Sequence, residues 1–374
     1  MDQKIHCDKG LILIVFALVG FGLLMDFSAS TAISQEIYGS PSRVFTRQLL
    51  SVFVGLLVLL VSLKIDYHYY SRRKFVFGFL AIIFILLIIP LATPMTNGAQ
   101  RWINLGVTKF QPSEAAKLFI VILTAYYLVE NKGKLYSFRN GLLPYLSIVG
   151  VLMLLIIVEP DLGTAATIAV VAGLLLYLGG LQYRYLIGLA LITLSLLYFL
   201  IFDVPYRRNR ILAFLDPLED PYGIGYQIRQ SLIAVGAGGW IGLGLAEGRQ
   251  KLLFLPEPHT DFIFSIVAEE LGFLGCLTLV VLFGLFFWRG VRISLRADSL
   301  FGTFLGLGIT CWIVVQALVN MSVAISLLPT KGIPMPFISV GGSSMLATLA
   351  AIGILLNISR HGQVYVSRKE WLRN

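Results

Sequence analysis

The chain has 374 residues, 57% hydrophobic and 13% charged, with a formal net charge of +9 and a mean hydropathy of +0.84. A water-soluble domain carries about 25% charged residues, so this composition excludes one. The basic residues form no long run, which excludes a nucleic-acid-binding face, and Cys7, Cys276 and Cys311 offer neither a metal-ligand spacing nor a disulfide framework.

Apolar runs of about 20 residues without strict alternation predict helices that cross a bilayer rather than barrel strands. The expected class is an all-α integral membrane protein whose ten spans cover residues 10–29, 46–64, 75–95, 111–130, 142–159, 161–180, 184–202, 262–287, 303–328 and 340–358. The first run is longer than a signal-peptide core and lacks a small-residue exit, so it reads as a retained span. Only Glu159-Pro160-Asp161 separates the fifth span from the sixth.

The basic residues predict orientation. With the N-terminus inside, seventeen Lys and Arg fall in cytoplasmic segments, from Lys4 and Lys9 to Arg368, Lys369 and Arg373. The short outer loops hold five: Arg43, Arg47, Arg101, Lys109 and Lys331. This bias puts both termini in the cytoplasm. It leaves a long extracytoplasmic loop, residues 203–260, between the seventh and eighth helices. That loop carries Arg207, Arg208, Arg210, Arg229, Arg249 and Lys251, either as solvated surface or as a seat for an anionic ligand such as a lipid diphosphate. Within it Tyr226–Leu245 is apolar and rich in small residues, so an interfacial or re-entrant segment is expected, with Trp240 as an anchor.

In the outer loop Asn97–Gly106, between the third and fourth spans, Arg101 stands beside Trp102, as a headgroup anchor or a ligand for charge. The fourth span opens Gln111-Pro-Ser-Glu-Ala-Ala-Lys117, which sets Glu114 and Lys117 three apart on one helical face. They form either a neutralising intramembrane pair or a lysine presented to an anionic headgroup and held by the glutamate.

The eighth span is preceded by Phe254-Leu-Pro-Glu-Pro-His-Thr-Asp261. Pro256 and Pro258 prevent helix before them, Thr260 is the expected N-cap, and Asp261 is expected in the first helical turn. A continuous helix from Asp261 to Phe287 is about 40 Å long, longer than the hydrocarbon core, so Asp261 is expected at headgroup level. An acid there either complements the helix dipole or works on a lipid-linked substrate. Glu269, eight residues on, is expected on the same face, lining one cleft, whereas adjacent Glu270 points about 100° away. The last span follows Pro329–Ser344, where Gly341-Gly-Ser-Ser344 offers free N–H groups for an oxyanion or simply caps a closely packed helix. No phosphate-binding Gly-rich Lys motif and no zinc signature is present.

These stretches carry a resemblance. Arg101-Trp-Ile-Asn-Leu-Gly, Gln111-Pro-Ser-Glu-Ala-Ala-Lys117, Asp216-Pro, Gly225-Tyr-Gln-Ile-Arg-Gln-Ser231, Leu255–Phe264 with Glu269-Glu-Leu-Gly272, and Pro336–Ser344 resemble, in order, the SEDS family (shape, elongation, division and sporulation). Thr330-Lys-Gly332, Asn320-Met and Asn357-Ile-Ser-Arg360 look like its cell-division, FtsW-like branch more than the RodA-like elongation branch; Val340 departs from the family's usual Tyr. The resemblance implies a glycosyltransferase that polymerises lipid II on the outer face of the bacterial cytoplasmic membrane, at the septum. It implies Asp261 as the essential, catalytic acidic residue, with Lys117 and Glu114 matching positions important for activity and Arg101 a recurring basic position. Arg249, Lys251, Glu269, Ser343 and Ser344 complete the expected substrate-binding set. The implied partners are lipid II, the nascent glycan strand, a class B penicillin-binding transpeptidase and other division proteins. No cofactor is demanded, although a divalent cation is compatible. A lipid II flippase and a non-enzymatic division scaffold are the competing readings.

Overall fold

The computed structural model describes residues 7–93, 100–104, 106, 109–134, 137–217 and 223–361; Lys4, Asn97, Arg368, Lys369 and Arg373 lie outside them. In chain order the helices are α1 (Lys9–Tyr38), α2 (Arg43–Lys64), α3 (Arg73–Ile88), α4 (Pro112–Glu130), α5 (Leu143–Val158) and α6 (Leu162–Leu178). They continue as α7 (Tyr183–Phe202), α8 (Pro205–Leu215), α9 (Ile224–Gly238), α10 (Ile263–Leu295), α11 (Leu300–Ala324) and α12 (Gly342–His361). A two-residue antiparallel ladder, β1 (Ile103–Asn104) with β2 (Lys109–Phe110), closes the hairpin before α4.

Among the described residues nine helices are long and apolar enough to cross a membrane, and the shorter apolar α6 makes a tenth, matching the ten expected spans. The protein is a multi-pass membrane protein. The 203–260 stretch contributes α8 and α9. Local chemistry sets the helix ends: Asp8 caps α1 by accepting from Leu11 N at 2.8 Å, Asp161 caps α6, and Pro112 opens α4 where its missing N–H is harmless.

Hydrophobicity cannot drive helices together in lipid, so small residues and polar bonds do that work. Gly22 of α1 lies directly against the Phe337 and Ile338 backbone, where any side chain would collide. Gly353 of α12 lies in the same way against the Leu59 carbonyl of α2. The two described chain ends meet, since Asp8 N donates to Ser359 Oγ at 3.2 Å and Arg289 pairs with Asp8 at 3.4 Å. Asp261 stands at the opposite end of the bundle, beyond the far end of α10 from Arg289.

α10 is not the straight rod expected. Gly272 adopts φ 64°, ψ −160° and breaks it into 263–271 and 273–295. The peptide groups freed by the break are satisfied by the chain after α9. Phe273 and Leu274 N–H donate to the carbonyls of Gly239 and Trp240 (2.9 and 3.2 Å). In return Leu243 and Gly244 N–H donate to the carbonyls of Glu269 and Glu270, each at 3.0 Å. An irregular segment is thus spliced into a membrane helix without orphaning its backbone, the condition on which such breaks are tolerated. The outer side of this segment is apolar and open, with Trp240 74% exposed and Ile241 77%.

Candidate functional site

Asp261 lies in a turn before the helix, not in its first turn. Its N–H donates to Glu257 O at 3.3 Å, Phe262 occupies the N-cap, and Thr260 makes no cap bond. The two prolines and Glu257, at φ 51°, keep residues 252–261 irregular, so the expected helical setting is corrected to a pinned turn. The pinning comes from elsewhere in the chain. His259 O accepts from Val340 N (2.9 Å), Thr260 O from Ser339 Oγ (2.6 Å), and Asp261 O from Asn320 Nδ2 (3.0 Å). Three successive carbonyls are therefore held by α11 and the loop before α12.

Among the described residues no donor bonds the Asp261 carboxylate. Gly332 stands against it, and a Cβ there would lie 3.2 Å from Oδ2. Burial, then the nearby Glu257 charge, lifts the carboxyl to about 7, against the opposing pull of Arg101 and Arg210. Such a carboxyl is poised to accept a proton near neutral pH.

The surroundings are cationic on one side and acidic on the other. Arg210 of α8 donates to Thr330 O at 3.1 Å, and burial followed by the Arg210 charge holds adjacent Lys331 below its ordinary value. Arg101 stacks toward Trp102 at 5.8 Å, has its Nε buried without a hydrogen-bond partner, and acts on both Asp261 and Glu159. Glu159 is fully buried with both carboxylate oxygens unbonded; burial and neighbouring Asp161 lift it to about 8. Asp161 is saturated instead. It accepts from Gln111 Nε2 (3.0 Å), Ser113 Oγ (3.3 Å), Thr164 N (3.1 Å) and Thr164 Oγ1 (2.8 Å), joining the starts of α4 and α6.

The remaining expected residues divide. Lys117 is not presented to a headgroup: it is 3% exposed and donates to Glu114 Oε1 and Gln316 Oε1, both at 2.8 Å, over the Trp312 ring at 5.4 Å. Gln316 in turn donates to Pro334 O at 2.7 Å, so this buried pair braces the same loop that Asn320 holds. Ser343 accepts from Gln111 N at 2.9 Å and ties the hairpin to α12, and Ser344 is buried beside it. Glu269 does not share a cleft with Asp261, because its carboxylate accepts from Arg249 N (2.8 Å) and Gln250 N (3.2 Å). Lys251 is buried against Glu270 at 2.6 Å, and the Arg249 side chain is exposed. Asn320, Gly332 and Glu159 were not singled out as site residues. A lone Asn in an apolar span is the available signal for the first, and an acid in the three-residue break Glu159-Pro160-Asp161 between spans for the last.

The family of cell cycle proteins comprising FtsW, RodA and SpoVE matches residues 9–364. A probable peptidoglycan glycosyltransferase FtsW of Geobacter metallireducens is 42% identical over 354 residues, 94% of each chain. The stage V sporulation protein E of Bacillus subtilis is 39% identical over 96% of this chain and 99% of its own. Among solved structures, a chain from a peptidoglycan synthase complex that coordinates polymerization and crosslinking is similar at TM-score 0.76 and 28% identity, covering 95% of this chain and 98% of that one. The rod shape determining protein RodA of Thermus thermophilus is similar at TM-score 0.67 and 25% identity, covering 95% and 97%. By descent and by fold, the chain belongs to the FtsW, RodA and SpoVE family of cell cycle proteins.

Proposed function

We propose that the chain is a peptidoglycan glycosyltransferase that polymerises lipid II into glycan strands for septal wall synthesis, with Asp261 as its general base. The observation that carries this is one half-buried carboxyl poised near 7, unbonded among the described residues, in the field of Arg101 and Arg210 with Lys331 next to Arg210. Sugar transfer between lipid-linked substrates needs those parts: a base at the acceptor hydroxyl and positive charge at the leaving diphosphate.

In this reading Asp261 takes the proton from the 4-hydroxyl of an N-acetylglucosamine as its oxygen attacks the anomeric carbon of the N-acetylmuramic acid at the end of the growing chain. The bond from that carbon to phosphate oxygen breaks, and undecaprenyl diphosphate leaves with the electron pair. Arg101, Arg210 and Lys331 neutralise it by charge-assisted hydrogen bonds. Attack opposite an α-linked leaving group gives a β-1,4 bond. Lys117 and Glu114 act at one remove, bracing the Ile333–Pro334 backbone through Gln316. Among the described residues no three acidic, imidazole or thiol groups are placed to hold a metal, so we assign any divalent cation to the substrate's diphosphate.

The basic residues at the end of the bundle where the termini lie support a site on the outer face of the cytoplasmic membrane. The likeness to a chain of a synthase complex supports a class B penicillin-binding transpeptidase as partner. Proteoliposomes given lipid II only on the outer face test the reading. Glycan chains are expected there without headgroup translocation; translocation without polymer indicates a flippase, and neither indicates a scaffold.

A further inference from the structure

The short helical piece 263–271 has Asp261 just before its start, and Glu269 and Glu270 near its end. It is about 13 Å long and is cut from the rest of α10 at Gly272, so it can shift as a unit when either end is released. The Asp261 end is pinned by Asn320, Ser339 and Val340. The other end is held by a separate set of groups.

The Glu270 carboxylate is 0% exposed and saturated. It accepts from Ser28 Oγ of α1 (2.7 and 2.8 Å), Ala246 N (2.9 Å) and Lys251 Nζ (2.6 Å). Lys251 Nζ also donates to Ser28 Oγ at 2.7 Å, so two of its three N–H donors are spent inside the protein. Beside this triad Glu269 takes the Arg249 and Gln250 N–H groups, and Gly248 fits between the acids, where a Cβ would lie 2.9 Å from Glu269 Oε2 and from Glu270 Oε1. A buried ion pair is a weak source of net stability, because desolvation offsets the Coulombic gain, but it fixes geometry when every partner is met. Here it fixes an irregular loop to two membrane helices, ten residues before Asp261.

We propose that Ser28, Lys251 and Glu270 are positioning residues that anchor the 246–251 segment to α1 and α10 and thereby set where Asp261 stands, and that Lys251 is not a ligand of the substrate. The proposal rests on Asp261 being the base, and it separates two roles for a buried lysine in a basic loop. A phosphate ligand governs substrate affinity. An anchor governs turnover and the environment of the base.

The test uses full-length protein in proteoliposomes with three variants: Lys251→Met, Glu270→Gln and the two combined. In Lys251→Met, amide hydrogen exchange across residues 252–262 is expected to speed up while α11 and α12 keep their protection. Turnover on lipid II is expected to fall about tenfold or more, because small misplacements of a base cost that much. The half-saturating lipid II concentration is expected to change less than about twofold. The acidic limb of the pH profile moves to lower pH as water reaches Asp261. The combined variant recovers part of the lost turnover, since leaving one buried charge alone is worse than removing both. Unchanged exchange in 252–262, a raised half-saturation with unchanged turnover, or a combined variant no better than Lys251→Met overturns the proposal. Should Lys251→Met fail to fold, Ser28→Ala keeps the ion pair and is read in the same way: faster local exchange with lower turnover supports anchoring, and unchanged exchange overturns it. Exchange is read without activity, so failure of the anchor and failure of Asp261 as base give different results.

Discussion

The side-chain amide of Asn320, inside α11, donates to the main-chain oxygen of Asp261 at 3.0 Å and to that of Ile333 at 2.8 Å. One polar residue in a membrane span thus sets the Asp261 turn and the neighbouring loop at a fixed separation. Asn320→Ala leaves two carbonyls without their donor, at about 1–3 kcal/mol each where they are buried. The expected result is protein that still inserts and purifies but polymerises lipid II at least about tenfold more slowly. Gel analysis of labelled chains checks it, and wild-type turnover in Asn320→Ala removes the positioning role.

Gly332 stands close against the Asp261 carboxylate. A Cβ would lie 3.2 Å from Oδ2, closer than ordinary van der Waals contact. Gly332→Ala is expected to cut turnover about tenfold by crowding the base while leaving thermal stability within about 0.5 kcal/mol. Paired melting and polymerisation assays separate the two effects.

Lys117 and Glu114 make the opposite prediction, since their pair is sealed in the bundle. Lys117→Met strands a 2%-exposed glutamate and is expected to destabilise the protein by about 3–5 kcal/mol. Lys117→Met with Glu114→Gln together is expected to regain most of that loss. Thermal unfolding in detergent measures it, and equal melting temperatures for wild type and Lys117→Met would contradict the buried pair.

With the Asp261 carboxyl at about 7, polymerisation should fall as pH drops through that value, because only the ionised form accepts a proton. One pH unit below, about a tenth of the base is ionised and the rate falls in proportion. For stability the sign reverses. The folded state keeps a proton that the unfolded chain has lost, so this group's contribution favours folding at low pH and fades as pH rises from 3.8 to about 7. A rate profile between pH 5.5 and 8.5 that stays flat would remove Asp261 from the proton transfer.

The ten spans were legible because each is a continuous apolar run, and such a run in lipid has only the helix open to it. Asp261 was legible as an acid after two prolines at a span's edge. The Gly272 break was not, since Leu271-Gly-Phe-Leu reads as ordinary apolar helix and its cause lies in the Gly239–Gly244 backbone. Nor was the fate of Lys251. It stands in a basic loop and looks like a surface cation, while its partner Ser28 is 223 residues away. Lys117 was legible in part: its pairing with Glu114 is one of the two readings the spacing allows, but Gln316, 199 residues on, which closes the site around it, is not visible there. Pairing between near neighbours can be read from spacing, whereas contacts set by helix packing cannot.

The most direct measurement is chain formation by purified Asp261→Asn from labelled lipid II, beside wild type, with lipid II binding followed in parallel. Substrate binding close to wild type with no glycan chains longer than background is the expected result. Chains of normal length and yield from Asp261→Asn would contradict the account, because no other residue has been assigned to take the sugar's proton.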